Sequence, residues 1–290
     1  MSAAIPTLRR ASHVVRHDMT IEDPRGRVDY EECGCGPTVV FAPGSCSTGA
    51  AWRPLISHCE AEFRCITTSL PGYGGTAERR SAADPAIAHV AAALEAVIRR
   101  AGSPVHLVGH SFGGLAALAV ALRQYVPLAS LTIVEAPAAQ LLEAAGEHAH
   151  YRAFRGMTQA YFAAFAAGDP EAIATMIDFY GGVGTFAGWP PRVRAYAVET
   201  TAVNILDWAS AYGYQLAPAM LATLQLPVLV LRGSASHPAV KRANELISQG
   251  LKHSALATVD GAAHFMITTH AAVLAALIQD HIGRAVAKHT

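Results

Sequence analysis

The chain has 290 residues, 22 basic and 22 acidic side chains, 52% hydrophobic residues and only 15% charged ones. A formal net charge of zero leaves no electrostatic footprint for nucleic acid or an anionic membrane surface. The length suits one large α/β unit carrying an insertion, and no apolar run reaches the ~18 residues that a membrane-spanning helix needs.

Arg9, Arg10 and Arg16 stand near the N-terminus without the apolar segment of a secretory signal, so a soluble, cytoplasmic protein is the expectation. Residues 12–32 hold two extended stretches. Cys33 and Cys35 follow in "ECGCGP", where Gly34, Gly36 and Pro37 predict a hairpin turn. With Cys46, Cys59 and Cys65 they make five cysteines without CxxC spacing, which fits neither a disulfide framework nor a zinc site.

"TVVFAPG" (38–44) reads as a buried strand, with a helix expected around 50–60. "FRCITTSLPG" (63–72) is a second buried strand, 85–101 an Ala-rich helix, and "VHLVGH" (105–110) a third strand that runs into a helix from Phe112. The order repeats with "LASLTIVEA" (128–136), "PVLVLRG" (227–233), a helix over 238–249, "SALATVDG" (254–261) and a helix over 270–284. Strands that alternate with helices predict parallel pairing and a sheet covered on both faces. Between about 138 and 220 no buried strand is readable, and Ala, aromatics, Gly181-Gly182 and Pro190-Pro191 suggest a helical insertion.

The sequence Gly109-His110-Ser111-Phe112-Gly113 lies between a strand and a helix. A strand-to-helix turn that aims one serine outward is sharp enough to need small residues on either side of it. The helix from Phe112 would present unpaired N–H groups to an anion forming beside Ser111. No Walker lysine and no GxGxxG spacing accompanies it.

On this motif and its flanks the chain resembles the α/β-hydrolase superfamily, from about residue 20 to 284. The resemblance implies an α/β-hydrolase fold: a mostly parallel eight-stranded sheet covered by helices, with a core of 1–137 and 221–290 and a helical cap over 138–220. It implies that "FAPGSCSTGAAW" (41–52) is the oxyanion loop, with Pro43 where His is common, so that the backbone N–H groups of Ser45 and Phe112 form the oxyanion hole. Losing one such donor typically costs ~10²–10³ in rate. It likewise aligns "SLPGYGGT" (69–76) with the loop after the fourth strand, Ser69 replacing the usual Asp.

A serine hydroxyl needs a base to take its proton. The resemblance implies His264, after the last strand, whereas His106, His110, His237 and His270 read as structural or solvated. The acid is displaced. The turn after the seventh strand, "LRGSASHP" (231–238), has Ser236 where the family places Asp, and no Asp or Glu lies between Arg232 and Asn244. Glu135, at the end of the preceding strand, is the expected substitute, since some members of the superfamily carry their acid there. Asp260 and Asp207 are weaker competitors.

A serine nucleophile points to acyl transfer to water, as in an esterase, thioesterase, lactonase or amidase, or to hydrolytic C–C cleavage. An acyltransferase, a perhydrolase and a non-catalytic binding protein on the same fold remain as alternatives. Trp52, Trp189, Trp208 and Tyr212 are the candidate substrate contacts, and Arg152, Arg155, Arg192 and Arg194 are candidates for holding a substrate carboxylate. The expected partner is a small molecule, without nucleic acid, membrane, metal or organic cofactor; the sequence is compatible with a homodimer.

Overall fold

The computed structural model describes residues 16–23, 25–102 and 104–287. Arg9, Arg10 and the first fifteen residues of the expected core lie outside them. Two strands, β1 (His17–Asp23) and β2 (Gly26–Cys33), pair antiparallel. The chain then reaches β3 (Thr38–Ala42) through Gly34 and Gly36, both at positive φ.

This turn is not a hairpin. β2 pairs with β4 (Arg64–Thr68), and β4 lies between β2 and β3 in the sheet order β1-β2-β4-β3-β5-β6-β7-β8. The two turn glycines serve close approach, since a Cβ on Gly34 would stand 2.2 Å from the Phe63 carbonyl oxygen.

A short helical turn at Gly49–Trp52 and α1 (Arg53–Ile56) precede β4, where a longer helix is predicted from the sequence. Helix α2 (Ile87–Ala101) buries Ile87, Val90, Leu94, Val97 and Ala101 at helical spacing and stops at Gly102, φ +77°. Strand β5 (Val105–His110) is buried at every position and leads into α3 (Phe112–Arg123), itself buried almost throughout. A strand without polar alternation belongs in a sheet covered on both faces. The registers agree: β5 is parallel to β3 on one side and to β6 (Leu128–Val134) on the other.

Seven helices fill the chain between β6 and β7: α4 (Ala139–Ala144), α5 (His148–Ala166), α6 (Ala174–Gly181), α7 (Thr185–Gly188), α8 (Pro191–Glu199), α9 (Thr201–Gly213) and α10 (Pro218–Leu221). Strand β7 (Val228–Gly233), α11 (Pro238–Gly250), β8 (Ser254–Val259), α12 (Met266–Thr269) and α13 (Ala271–Ala287) complete the parallel series. Helices α2, α3 and α11 pack into one apolar core, and α1, α12 and α13 into another. No described helix is long and apolar enough to cross a membrane. Six strands, β3 to β8, run parallel, and the loops after five of them, β3, β5, β6, β7 and β8, carry Ser45, Ser111, Glu135, Gly233 and His264 at one edge of the sheet.

Candidate active site

Ser111 occupies the turn between β5 and α3 with φ +53° and ψ −127°, a conformation a residue with a Cβ keeps only when its surroundings hold it there. The neighbours show what holds it. A Cβ on Gly109 would lie 2.4 Å from the Gly113 oxygen, and one on Gly113 would lie 2.2 Å from the Pro43 oxygen. Glycine at both positions therefore lets strand, helix and the 43–45 loop close together. The Ser111 N–H donates to the Val134 carbonyl at 2.8 Å, pinning the turn to the end of β6.

The Ser111 hydroxyl is 2.9 Å from Nε2 of His264, and His264 Nδ1–H donates to Oε2 of Glu135 at 2.8 Å. Glu135 is the first residue beyond β6 and also carries a positive φ, +49°. Its N–H donates to the Leu231 carbonyl at 3.1 Å, and its second carboxyl oxygen accepts the Gly233 N–H at 2.7 Å. A side chain with no solvent exposure thus has both oxygens engaged, as buried carboxyl groups require. Ser236 stands beside Gly233, but its buried hydroxyl has no partner among the described residues.

The two competing acids are used elsewhere. Asp260 is exposed and accepts the Ser234 hydroxyl. Asp207 of α9 is bound by Arg80 at 2.7 Å, by the Tyr73 hydroxyl at 2.6 Å and by the Ser45 hydroxyl. Burial lifts the Asp207 carboxyl above its ordinary range against the pull of Arg80. For Arg80, burial opposes the charge, but Glu78 and Asp207 outweigh it and hold the guanidinium protonated.

His264 is fixed from two further sides. Tyr180 of α6 stacks on its ring with centroids 4.0 Å apart and planes at 27°. His110 donates from Nε2 to the His264 carbonyl at 2.9 Å. Burial, and then the nearby His264, push the His110 imidazole down to about 3, so at neutral pH it is an uncharged strut.

Among the described residues, the N–H groups of Ser45 and Phe112 have no hydrogen-bond acceptor. Phe112 is the first residue of α3, where backbone donors are free and the helix end is electropositive. Gly44, Ser45, Ser111, Phe112 and His264 share the wall of one cavity of about 390 Å³. Met176, Ile177, Trp189, Val193, Trp208, Phe265 and Ile267 make the rest of that wall mainly apolar. Cys46 also lines it, but burial, with the Asp207 charge second, pushes its thiol up to about 12, which removes it as a nucleophile at neutral pH.

Of the expected substrate contacts, Trp189 and Trp208 are in this wall, whereas Trp52 and Tyr212 are not. Trp52 is fully buried against Phe41 and the edge of His110, beneath the site instead of facing it. Tyr212 sits behind Trp208, bonded to the Thr158 hydroxyl at 3.0 Å with the Arg155 guanidinium over its ring. None of Arg152, Arg155, Arg192 and Arg194 reaches the cavity. Tyr180 and Asn204 do reach it and were not singled out from the sequence; an aromatic in the helical insertion was the sole signal for Tyr180, and nothing marked Asn204. Among the described residues no three His, Cys, Asp or Glu side chains gather as a metal site, and all five cysteines are free thiols.

The model of the alpha/beta hydrolase family matches residues 39–277. A pimeloyl-[acyl-carrier protein] methyl ester esterase of Aeromonas salmonicida is 32% identical over 111 residues, 38% of this chain and 42% of that one. The chain thus spans less than half the length of that relative. A protein of Variovorax paradoxus provisionally named a carbamate hydrolase is 27% identical over 86% of this chain and 92% of its own length. A thermophilic esterase from Thermogutta terrifontis superposes with a TM-score of 0.68 at 21% identity, covering 93% of this chain and 99% of the esterase, a likeness of fold.

Proposed function

The chain belongs to the alpha/beta hydrolase family, and on that premise we propose that it is a serine hydrolase that cleaves an ester-type acyl bond of a small, partly apolar substrate. The reading rests on one observation, the unbroken hydrogen-bonded line from Ser111 through His264 to Glu135. In this reading Ser111 Oγ attacks the substrate carbonyl carbon while its proton passes to His264 Nε2. The charge that develops on the carbonyl oxygen is met by the N–H groups of Ser45 and Phe112. His264, now an imidazolium held by Glu135, returns the proton to the departing alcohol oxygen, leaving an acyl group on Ser111. Water then attacks the acyl carbon with His264 again as base, the product acid leaves, and Ser111 regains its proton.

In the same reading residues 138–220 are a cap that closes the cavity over a core of 1–137 and 221–290. The esterase and hydrolase names of the relatives support this bond class, and the apolar wall supports an uncharged acyl or alcohol group. Mass spectrometry after treatment with a fluorophosphonate is the test. A covalent adduct on Ser111, absent in Ser111→Ala, is the expected result. Turnover of short-chain 4-nitrophenyl esters by Ser111→Ala at the native rate would overturn the assignment.

A further inference from the structure

We infer that Asp207 and Ser47 are positioning residues that set the direction of the Ser45 N–H. Two hydroxyl hydrogen bonds, from Ser45 to Asp207 and from Ser47 to the Gly44 carbonyl, hold the Gly44–Ser45 peptide from its two ends. This deepens the serine-hydrolase reading, in which the Ser45 N–H is an oxyanion donor, and rests on it. Neither Asp207 nor Ser47 is asked to touch the substrate.

The peptide lies beside the nucleophile. A Cβ on Gly44 would stand 3.0 Å from the Ser111 Cβ and 3.1 Å from His110 Nδ1, and Gly44, Ser45 and Ser111 share the cavity wall. A trans peptide group is planar, and its C=O and N–H point in opposite directions. Whatever fixes the Gly44 oxygen therefore restricts where the Ser45 N–H can point. The Ser47 hydroxyl donates to that oxygen at 2.8 Å. A single bond leaves the plane free to turn about the line of that bond. The second hold, the Ser45 hydroxyl on Oδ2 of Asp207, takes that freedom away.

Asp207 is itself fixed. Its Oδ2 also accepts the Tyr73 hydroxyl at 2.6 Å, and its Oδ1 accepts from Nη1 of Arg80 at 2.7 Å. Arg80 in turn donates from Nε and Nη2 to the Glu78 carboxylate at 2.9 and 2.8 Å. Hydrogen bonds to an ionised group away from water are short and strong, so the Ser45 side chain is tied to an anchor that moves little. A carboxylate is costly to keep in a mainly apolar wall, and the line from Ser111 to Glu135 does not use this one. Holding Ser45 gives it a task. Oxyanion donors work at about 2.7–3.1 Å from the place where the charge appears, so a donor that is present but loosely aimed loses rate.

The experiment measures 4-nitrophenyl butyrate hydrolysis by Ser45→Ala and Ser47→Ala. Each removes one hydroxyl, keeps the Ser45 N–H and leaves the Asp207–Arg80 pair whole. Acylation and deacylation both pass through an oxyanion, so kcat is expected to fall ~10-fold in each, less than the loss of a whole donor, with KM within about twofold of native. A trifluoromethyl ketone supplies the second reading. Ser111 Oγ bonds to its carbonyl carbon, the serine proton passes to His264, and the former carbonyl oxygen becomes an oxyanion. Its inhibition constant should rise by the same ~10-fold, whereas that of the matching alcohol, which forms no oxyanion, should not change. Ser45→Thr, which keeps the hydroxyl, should recover most of the rate. In the double variant Ser45→Ala with Asp207→Asn, kcat should fall no further than in Ser45→Ala alone, because Asp207 acts through that hydroxyl. A native kcat in either serine variant, a fall in kcat that leaves the ketone's affinity untouched, or a further fall in the double variant overturns the inference. Fluorophosphonate labelling separates the two readings: a labelled native Ser111 with unchanged kcat in the serine variants removes the positioning role alone, whereas an unlabelled native Ser111 removes the nucleophile.

Discussion

On the sheet side of the cavity, Ser111, His264, Glu135 and the Gly233 N–H form one continuous hydrogen-bonded line. On the helix side, the Tyr180 hydroxyl and the Asn204 Oδ1 are buried with no hydrogen-bond partner among the described residues. The sheet side draws on strand ends whose register is fixed by parallel pairing and by glycines that admit no larger residue; the helix side hangs from seven segments joined by loops. On the proposed reading, the groups that transfer a proton are held in a single geometry before any substrate arrives. The contrast is between polar groups joined in one chain of bonds and polar groups buried without one among the described residues.

The sharpest way to break this contrast is to damage the ready side. Glu135→Gln removes the charge facing the imidazolium, and kcat is expected to fall by ~10³–10⁴. Ser236→Ala, at the place where most of the family keeps its acid, is expected to leave kcat nearly unchanged. Steady-state kinetics on one ester decides it, and equal small effects from the two variants would mean that the line through Glu135 is not what drives the reaction.

A smaller effect is expected where the two sides are joined. Arg80 and Asp207 are both buried and form an ion pair between the loop after β4 and α9. Arg80→Met would leave the Asp207 carboxylate without its counter-charge, and urea unfolding should show a loss of about 3–5 kcal/mol. The double variant with Asp207→Asn should recover part of that loss, because the stranded charge is then gone. Additive losses would show that the pair does not couple the two sides.

The smallest effect concerns pH. His110, facing the His264 ring at 4.8 Å, is held down to about 3 from an ordinary 6.5. Between those values the unfolded chain binds a proton there and the folded one does not, so stability is full above pH 6.5 and declines as pH falls towards 3. One such proton gives a slope of at most about 1.4 kcal/mol per pH unit. Urea midpoints measured from pH 7 to pH 4 should fall less steeply for His110→Asn than for the native chain, and parallel slopes would remove His110 as the cause.

The ready side is also the legible one. Gly109, Ser111 and Gly113 announce a sharp turn because their spacing has a steric meaning, and the alternation of apolar runs with helical ones places Glu135 and His264 at strand ends. What sequence does not carry is partnership between distant segments. Arg80 and Asp207 lie 127 positions apart, and nothing local in either stretch indicates the other. Cys33 to Pro37 looks like a hairpin because local turn chemistry cannot show that β4 intervenes between β2 and β3. Trp52 is chosen for the cleft by its place in a motif, yet the space beneath His110 takes it into the core. That the Tyr180 hydroxyl and the Asn204 Oδ1 go unpaired among the described residues is decided only once the helices have packed.

The bond from the Ser45 hydroxyl to Asp207 crosses 162 positions of chain and ties the residue credited with an oxyanion donor to the roof instead of the floor. A swing of α9 outward would let go of that residue as it admitted solvent. On the proposed reading of the site, a pocket opened in that way would have lost one of the holds on the loop that carries the Ser45 N–H.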